Sequence, residues 1–106
     1  MKILLAEDEA IVAFDLKMDL EDEGNVVVGP CLTLKSCIDA IETKCIDAAI
    51  LDVDLRGEDV FPAAEILNAR AIPFVFHTGH ASAIDLQRRF PNAPVCRKPM
   101  PVKKMV

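Results

Sequence analysis

The chain has 106 residues, enough for one domain built on a single hydrophobic core. Apolar residues make up 52%, and glycine and proline together (4 and 7) are sparse, which excludes a disordered or fibrous chain. A formal net charge of −5 argues against nucleic acid as a primary ligand.

Taken in chain order, the first element is KILLA (2–6), an unbroken apolar run that reads as a fully buried strand. A helix follows over Glu9–Glu23, with Ile11, Phe14, Met18 and Leu20 at helical spacing as its expected core face, Asp8 or Glu9 as its cap, and Gly24 as its C-terminal stop. VVVGP (26–30) is the second strand. The second helix carries Leu34, Cys37, Ile38 and Ile41 on one face, with Thr33 as a natural N-cap. AAILDV (48–53) is the third strand, and Arg56-Gly57 turns the chain after it. A third helix fits Asp59–Arg70, where Pro62 falls in the tolerated first turn. PFVFH (73–77) and APVCR (93–97) are the fourth and fifth strands, separated by a short, weakly apolar helix near Ser82–Arg89. MPVKKMV (100–106) begins a fifth helix that stops short of typical length.

Strands alternating with helices call for an α/β fold with a mainly parallel sheet covered on both faces. The whole chain, 1–106, is expected to form this one domain, with no linker or repeat. Cys31, Cys37, Cys45 and Cys96 form no CxxC pair, so they read as small core residues in a reducing compartment. MKILLAEDE is too short in its apolar part for a secretory signal, and no run approaches membrane-spanning length, so a cytoplasmic location is expected. Residues 1–67 hold sixteen acids against five bases, and 68–106 one acid against seven. Two differently solvated faces account for that polarity, although it would also guide a protein partner.

The residues with chemical capability all follow strands. Glu7-Asp8-Glu9 follow the first, Asp52 and Asp54 end the third, Thr78-Gly79 follow the fourth, and Lys98-Pro99 follow the fifth. In an open parallel sheet the carboxyl ends of the strands share one rim, where ligands bind. Carboxylates from neighbouring strands make a hard oxygen site suited to Mg²⁺, and a lysine and a hydroxyl opposite suit an anion held against that metal. Together they point to phosphoryl chemistry. Each also has a plain reading: the acids as a helix N-terminus, Thr78 as a turn residue, Asp52 and Lys98 as solvated groups. Their joint placement favours the site. His77 reads as packing and His80 as surface, because two nitrogens without further ligands seldom hold a metal.

KILLAEDE, AAILDVDL, PFVFHTG and CRKP resemble, in order and spacing, the receiver domain of bacterial response regulators in two-component signalling, from Lys2 to about Pro101. That resemblance implies a doubly wound, flavodoxin-like sheet of five strands in the order 2-1-3-4-5, with the last helix truncated. It implies that Asp52 accepts a phosphoryl group from a sensor histidine kinase or a histidine phosphotransfer protein, so that the domain is a signalling module rather than an enzyme. It further implies that Asp8 and Asp52 hold Mg²⁺ with Glu7 assisting, that Asp54 offers its backbone carbonyl, that Thr78 and Lys98 contact the phosphoryl oxygens, and that Lys98-Pro99 is cis. The pattern departs at Val95, where most receivers carry Tyr or Phe, and at Met100, where Phe is commoner. A branch with PFxFxTG after strand four also lacks that aromatic, so the usual Thr–Tyr switch is in doubt. Asp52-Val53-Asp54 also resembles the first motif of haloacid-dehalogenase-type phosphatases, which here would lie on the third strand instead of the first. A receiver-like module that never takes phosphate is the remaining alternative. With the fifth helix short, an apolar patch near the C-terminus is expected to favour a homodimer.

Overall fold

Buried apolar runs and helices alternate along the chain, and the structure, a computed structural model, describes residues 1–79 and 83–98. Five strands, β1 (Lys2–Ala6), β2 (Val26–Cys31), β3 (Ala48–Leu51), β6 (Phe74–Thr78) and β7 (Val95–Arg97), form one parallel sheet in the order β2-β1-β3-β6-β7. Counting only these five, that is the expected 2-1-3-4-5 order. Two further strands, β4 (Asp54–Leu55) and β5 (Glu58–Asp59), make a separate antiparallel hairpin that the apolar pattern did not foretell.

Side chains alternate between the two faces of the sheet, and both faces are buried along β1, β3 and β6. The expectation that VVVGP and APVCR are fully buried as well is corrected. These edge strands have a neighbour on one side only and keep Val26, Gly29 and Arg97 exposed. Ile3, Leu5 and Ile50 pack on one face against α1 (Ala10–Asp22), chiefly through Leu16 and Leu20. Leu4, Ala49, Leu51, Phe74 and Phe76 point the other way, toward α2 (Leu34–Thr43), α3 (Phe61–Ala69) and α4 (Ala83–Arg89). Phe90, just past α4, packs against Phe74 and Phe76 with ring centroids 5.6 Å away in each case. Thr33 caps α2 as expected, its hydroxyl accepting the Ser36 N–H at 3.1 Å while the Ser36 hydroxyl accepts the Thr33 N–H. Gly24 follows α1 at φ 89°, the left-handed conformation of a helix stop.

The expected core face of α1 is corrected. Ile11, Phe14 and Met18 are 80%, 62% and 48% exposed, while Ala13, Leu16 and Leu20 are buried. The helix carries apolar residues around much of its girth, so spacing alone admits two registers. The sheet takes the face that places small Ala13 against it and leaves the larger residues outside. Helix α1 also has no side-chain cap from Glu9, and Asp8 is turned to other work. Cys31, Cys37 and Cys96 are buried as expected, but Cys45 is exposed. The β3 strand ends at Leu51, so Asp52 lies just beyond it. The expected surface position of His80, the helix start at Ser82, the cis Lys98–Pro99 bond, Met100 and the short last helix lie outside the described residues.

Candidate functional site

The ladders of the sheet place the acids. Past β1, the Glu7 N–H donates to the Cys31 carbonyl at 3.1 Å. Past β3, the Asp52 N–H donates to the Ala6 carbonyl at 2.8 Å. Glu7 and Asp52 are therefore held by backbone bonds on neighbouring strand ends, at the rim where the crevice of a parallel sheet opens. On the far side, Thr78 ends β6, and the Lys98 N–H donates to the Thr78 carbonyl at 3.0 Å. Asp8, Glu9, Asp52, Asp54, Thr78, Gly79 and Lys98 line a cavity of about 410 Å³ there.

Lys98 gathers the site electrostatically. Its ammonium lies 2.8 Å from Glu7 Oε2, 2.8 Å from Asp52 Oδ2 and 3.3 Å from Glu9 Oε1. Glu7 is only 1% exposed and Asp52 7% exposed, so both carboxylates need such a partner. Burial dominates at Glu7 and pushes its pKa up to about 7, although the hydrogen bonds from Lys98 and from the Glu9 N–H oppose it. Burial also disfavours the charged Lys98, but the hydrogen bonds and negative charge of Asp52 and Glu7 outweigh it and hold the ammonium pKa above its usual value. His77 is buried beneath the site, and burial together with the Lys98 charge lowers its pKa, so it packs as a neutral ring.

Glu7, Asp8 and Asp52 form an acidic group whose ligand atoms all lie within 4.8 Å of one another. Three carboxylates converging on one point suit a small, hard divalent cation such as Mg²⁺. The donor set fits. Of the residues singled out from sequence, Glu7, Asp8, Asp52, Thr78 and Lys98 thus come together on one rim. Asp54 joins them as a cavity wall, but its carboxylate is turned elsewhere, Oδ1 accepting the Gly57 N–H at 2.8 Å. Sequence reasoning placed Glu9 on the rim but missed its contact with Lys98, and it missed the main-chain donor of Arg56 altogether. Glu9, read as a helix cap, instead reaches Lys98, and the main-chain N–H of Arg56 donates to Asp8 Oδ2 at 3.0 Å. Only the adjacency of Glu9 to Glu7 and Asp8 hinted at the first; nothing local signalled the second.

No protein-family model matches the chain. Among solved structures it is similar to SdrG from Sphingomonas melonis, with 43% identity, a TM-score of 0.85, and coverage of 99% of this chain and 92% of that one. It is similar to the non-phosphorylated receiver domain of HemR from Leptospira biflexa at 28% identity and a TM-score of 0.83, covering 97% of this chain and 86% of that one. Among curated proteins it is 32% identical over 93 residues to the transcriptional regulatory protein PdtaR of Mycobacterium tuberculosis. That match takes in 87% of this chain and 45% of PdtaR, so the chain spans about half the length of the curated relatives it matches. With the sheet order and the rim site, these likenesses define a signalling module, not a conventional enzyme. The chain belongs to the response regulator receiver domains of two-component signalling. That assignment sets aside the phosphatase alternative, whose acid–base residue would have been the Asp54 carboxylate now tied into a turn. No helix among the described residues is long and apolar enough to cross a membrane.

Proposed function

We propose that this receiver accepts a phosphoryl group on Asp52 from the phosphohistidine of a sensor kinase or histidine phosphotransfer protein, and that it passes the signal on by changing conformation. One observation carries the reading: Asp52 sits at the end of the central strand with Lys98 at 2.8 Å and Glu7 and Asp8 beside it. An Asp52 oxygen attacks phosphorus, the donor's N–P bond breaks, and the departing imidazole nitrogen keeps the electron pair. A carboxylate approaching a polyanion needs positive charge already in place. Lys98 supplies a fixed part of it and would exchange its contact with Asp52 for one to a phosphoryl oxygen. Thr78, facing the same cavity, would hold a second oxygen. Glu7, Asp8, Asp52 and the Asp54 carbonyl would hold Mg²⁺. When bound, the ion supplies the charge neutralisation that lets the acyl phosphate form.

Transfer from acetyl phosphate tests the reading. The wild-type chain with Mg²⁺ is expected to gain one phosphoryl mass by intact mass spectrometry, and Asp52→Asn to gain none while keeping its fold. A variant that is labelled at the wild-type rate removes Asp52 from the role. A wild-type chain that neither takes the label nor responds to beryllofluoride with saturating Mg²⁺ is a receiver that signals without phosphate.

A further inference from the structure

The β4–β5 hairpin is outside the main sheet, two residues per strand, and too short to persist alone. Its inward residues anchor it. Leu55 and Val60 are both fully buried in the larger core, and the Val60 N–H donates to the Val53 carbonyl at 2.8 Å. At the tip, Arg56 and Gly57 have φ 53° and 87°, both positive, as a tight two-residue hairpin turn demands. The turn is tied at both corners. Gly57 N–H donates to Asp54 Oδ1, and Arg56 N–H reaches across to Asp8 Oδ2, 48 residues earlier in the chain.

That second bond singles out one acid of the three. Lys98 pairs with Glu7, Glu9 and Asp52. Asp8 is held instead by a neutral main-chain donor from the hairpin. The difference matters chemically. A cationic side chain on Asp8 would neutralise it and compete with an arriving cation, as Lys98 does at its own partners. An N–H orients the carboxylate through one lone pair and leaves its full charge, and its remaining lone pairs, to a metal. Outer partners of this kind fix the direction of a metal-binding carboxylate.

We propose that the Asp54–Asp59 hairpin is a positioning device for the metal-binding acid Asp8, with Arg56 as the positioning residue through its backbone N–H rather than its guanidinium. The inference rests on the reading that Asp8 binds Mg²⁺. The hairpin begins two residues after Asp52 and leads into α3, so the segment that holds Asp8 is the one that follows the proposed phosphoacceptor.

Amide NMR of the full chain during a Mg²⁺ titration tests it. The Arg56 amide is expected to shift and to saturate together with those of Asp8 and Asp52. Gly57→Val, which forces a β-branched residue to φ 87° but adds a Cβ with nothing within 4 Å, should displace the turn without a clash. It is expected to weaken Mg²⁺ binding about tenfold. Arg56→Ala keeps the N–H and should bind Mg²⁺ like the wild type. An Arg56 amide that stays still while Asp8 and Asp52 saturate overturns the inference and leaves the metal reading intact. Equal loss in Arg56→Ala and Gly57→Val assigns the effect to the guanidinium and overturns it as well. No shift at Asp8 or Asp52 at any Mg²⁺ concentration removes the metal reading on which it stands. If Gly57→Val fails to fold, the wild-type titration and Arg56→Ala decide the matter.

Discussion

Lys98 Nζ lies 2.8 Å from Glu7 Oε2, so the most deeply buried carboxylate of the rim is paired with a lysine that enters from the last described strand. The same ammonium holds Asp52 at 2.8 Å. Removing one partner of such a pair leaves uncompensated charge in a poorly solvated place, and it typically destabilises by about 3 to 5 kcal/mol. Lys98→Met is therefore expected to lower urea stability at neutral pH by about 3 kcal/mol, near the low end because the rim remains open to water. It should also raise Mg²⁺ affinity, since the metal no longer competes with the ammonium for Glu7 and Asp52. Calorimetric titration beside urea melts checks both signs; a variant that loses stability and Mg²⁺ affinity together contradicts the competition.

Glu7 gives the fold a pH dependence. Its pKa is about 7 in the folded chain, above the ordinary 4.5, so the folded state holds this proton more tightly than the unfolded one. The resulting stability is fully present below about 4.5 and is lost as pH rises through about 7. Its slope cannot exceed roughly 1.4 kcal/mol per pH unit for one proton. In metal-free buffer, Glu7→Gln is expected to flatten the curve over that window. Equal slopes for variant and wild type would place the proton elsewhere.

The exposed stripe on α1 predicts a contrast. Ile11→Ser and Phe14→Ser should each change stability by no more than about 0.5 kcal/mol, as surface substitutions usually do. Leu20→Ala, fully buried, should cost about 2 to 5 kcal/mol. Thermal or urea melts of the three variants distinguish this helix register from the one its large apolar residues suggest.

Val95 makes a further prediction about signalling. It pairs with Phe76 in the β6–β7 ladder and packs partly buried against the core, and its branched chain has no ring to swing between exposed and buried positions. Movement should therefore concentrate at Thr78, Gly79 and α4, a helix with Leu86 as its buried residue. Beryllofluoride with Mg²⁺ is expected to shift the amides of Thr78, Gly79 and Ala83–Arg89 most. Large shifts across Val95–Arg97 with a quiet α4 would overturn that distribution.

How far the residues themselves disclosed this molecule varies with the range of the interactions involved. The central strands β1, β3 and β6 are buried on both faces and show as apolar runs, whereas the edge strands β2 and β7 are only partly buried. Thr33 shows as a cap because its Ser36 partner is three residues away. The rim acids, Thr78 and Lys98 were legible because each follows such a run. The α1 face was misread because burial there goes to Ala13, whose small side chain carries little signal, while Phe14 and Ile11 carry much and face outward. Of the hairpin only the Arg56-Gly57 turn was legible, and its strands were hidden for a different reason. Two residues per strand are too few to show a period, and only Leu55 of its four strand residues is buried. Glu9's contact with Lys98 was signalled only by its adjacency to Glu7 and Asp8.

That contact spans 89 residues. Bringing the ends of so long a segment together costs only slightly more entropy than closing one half as long, but contacts this distant slow folding and form late. Until β7 docks beside β6, Glu7, Glu9 and Asp52 face one another without the ammonium that pairs with all three. On the proposed function, a chain nicked or frayed at β7 would lack the fixed cation beside Asp52 and would take up a phosphoryl group more slowly. On the same reading, the ion pairs of Lys98 would tie phosphoryl uptake at Asp52 to completion of the sheet.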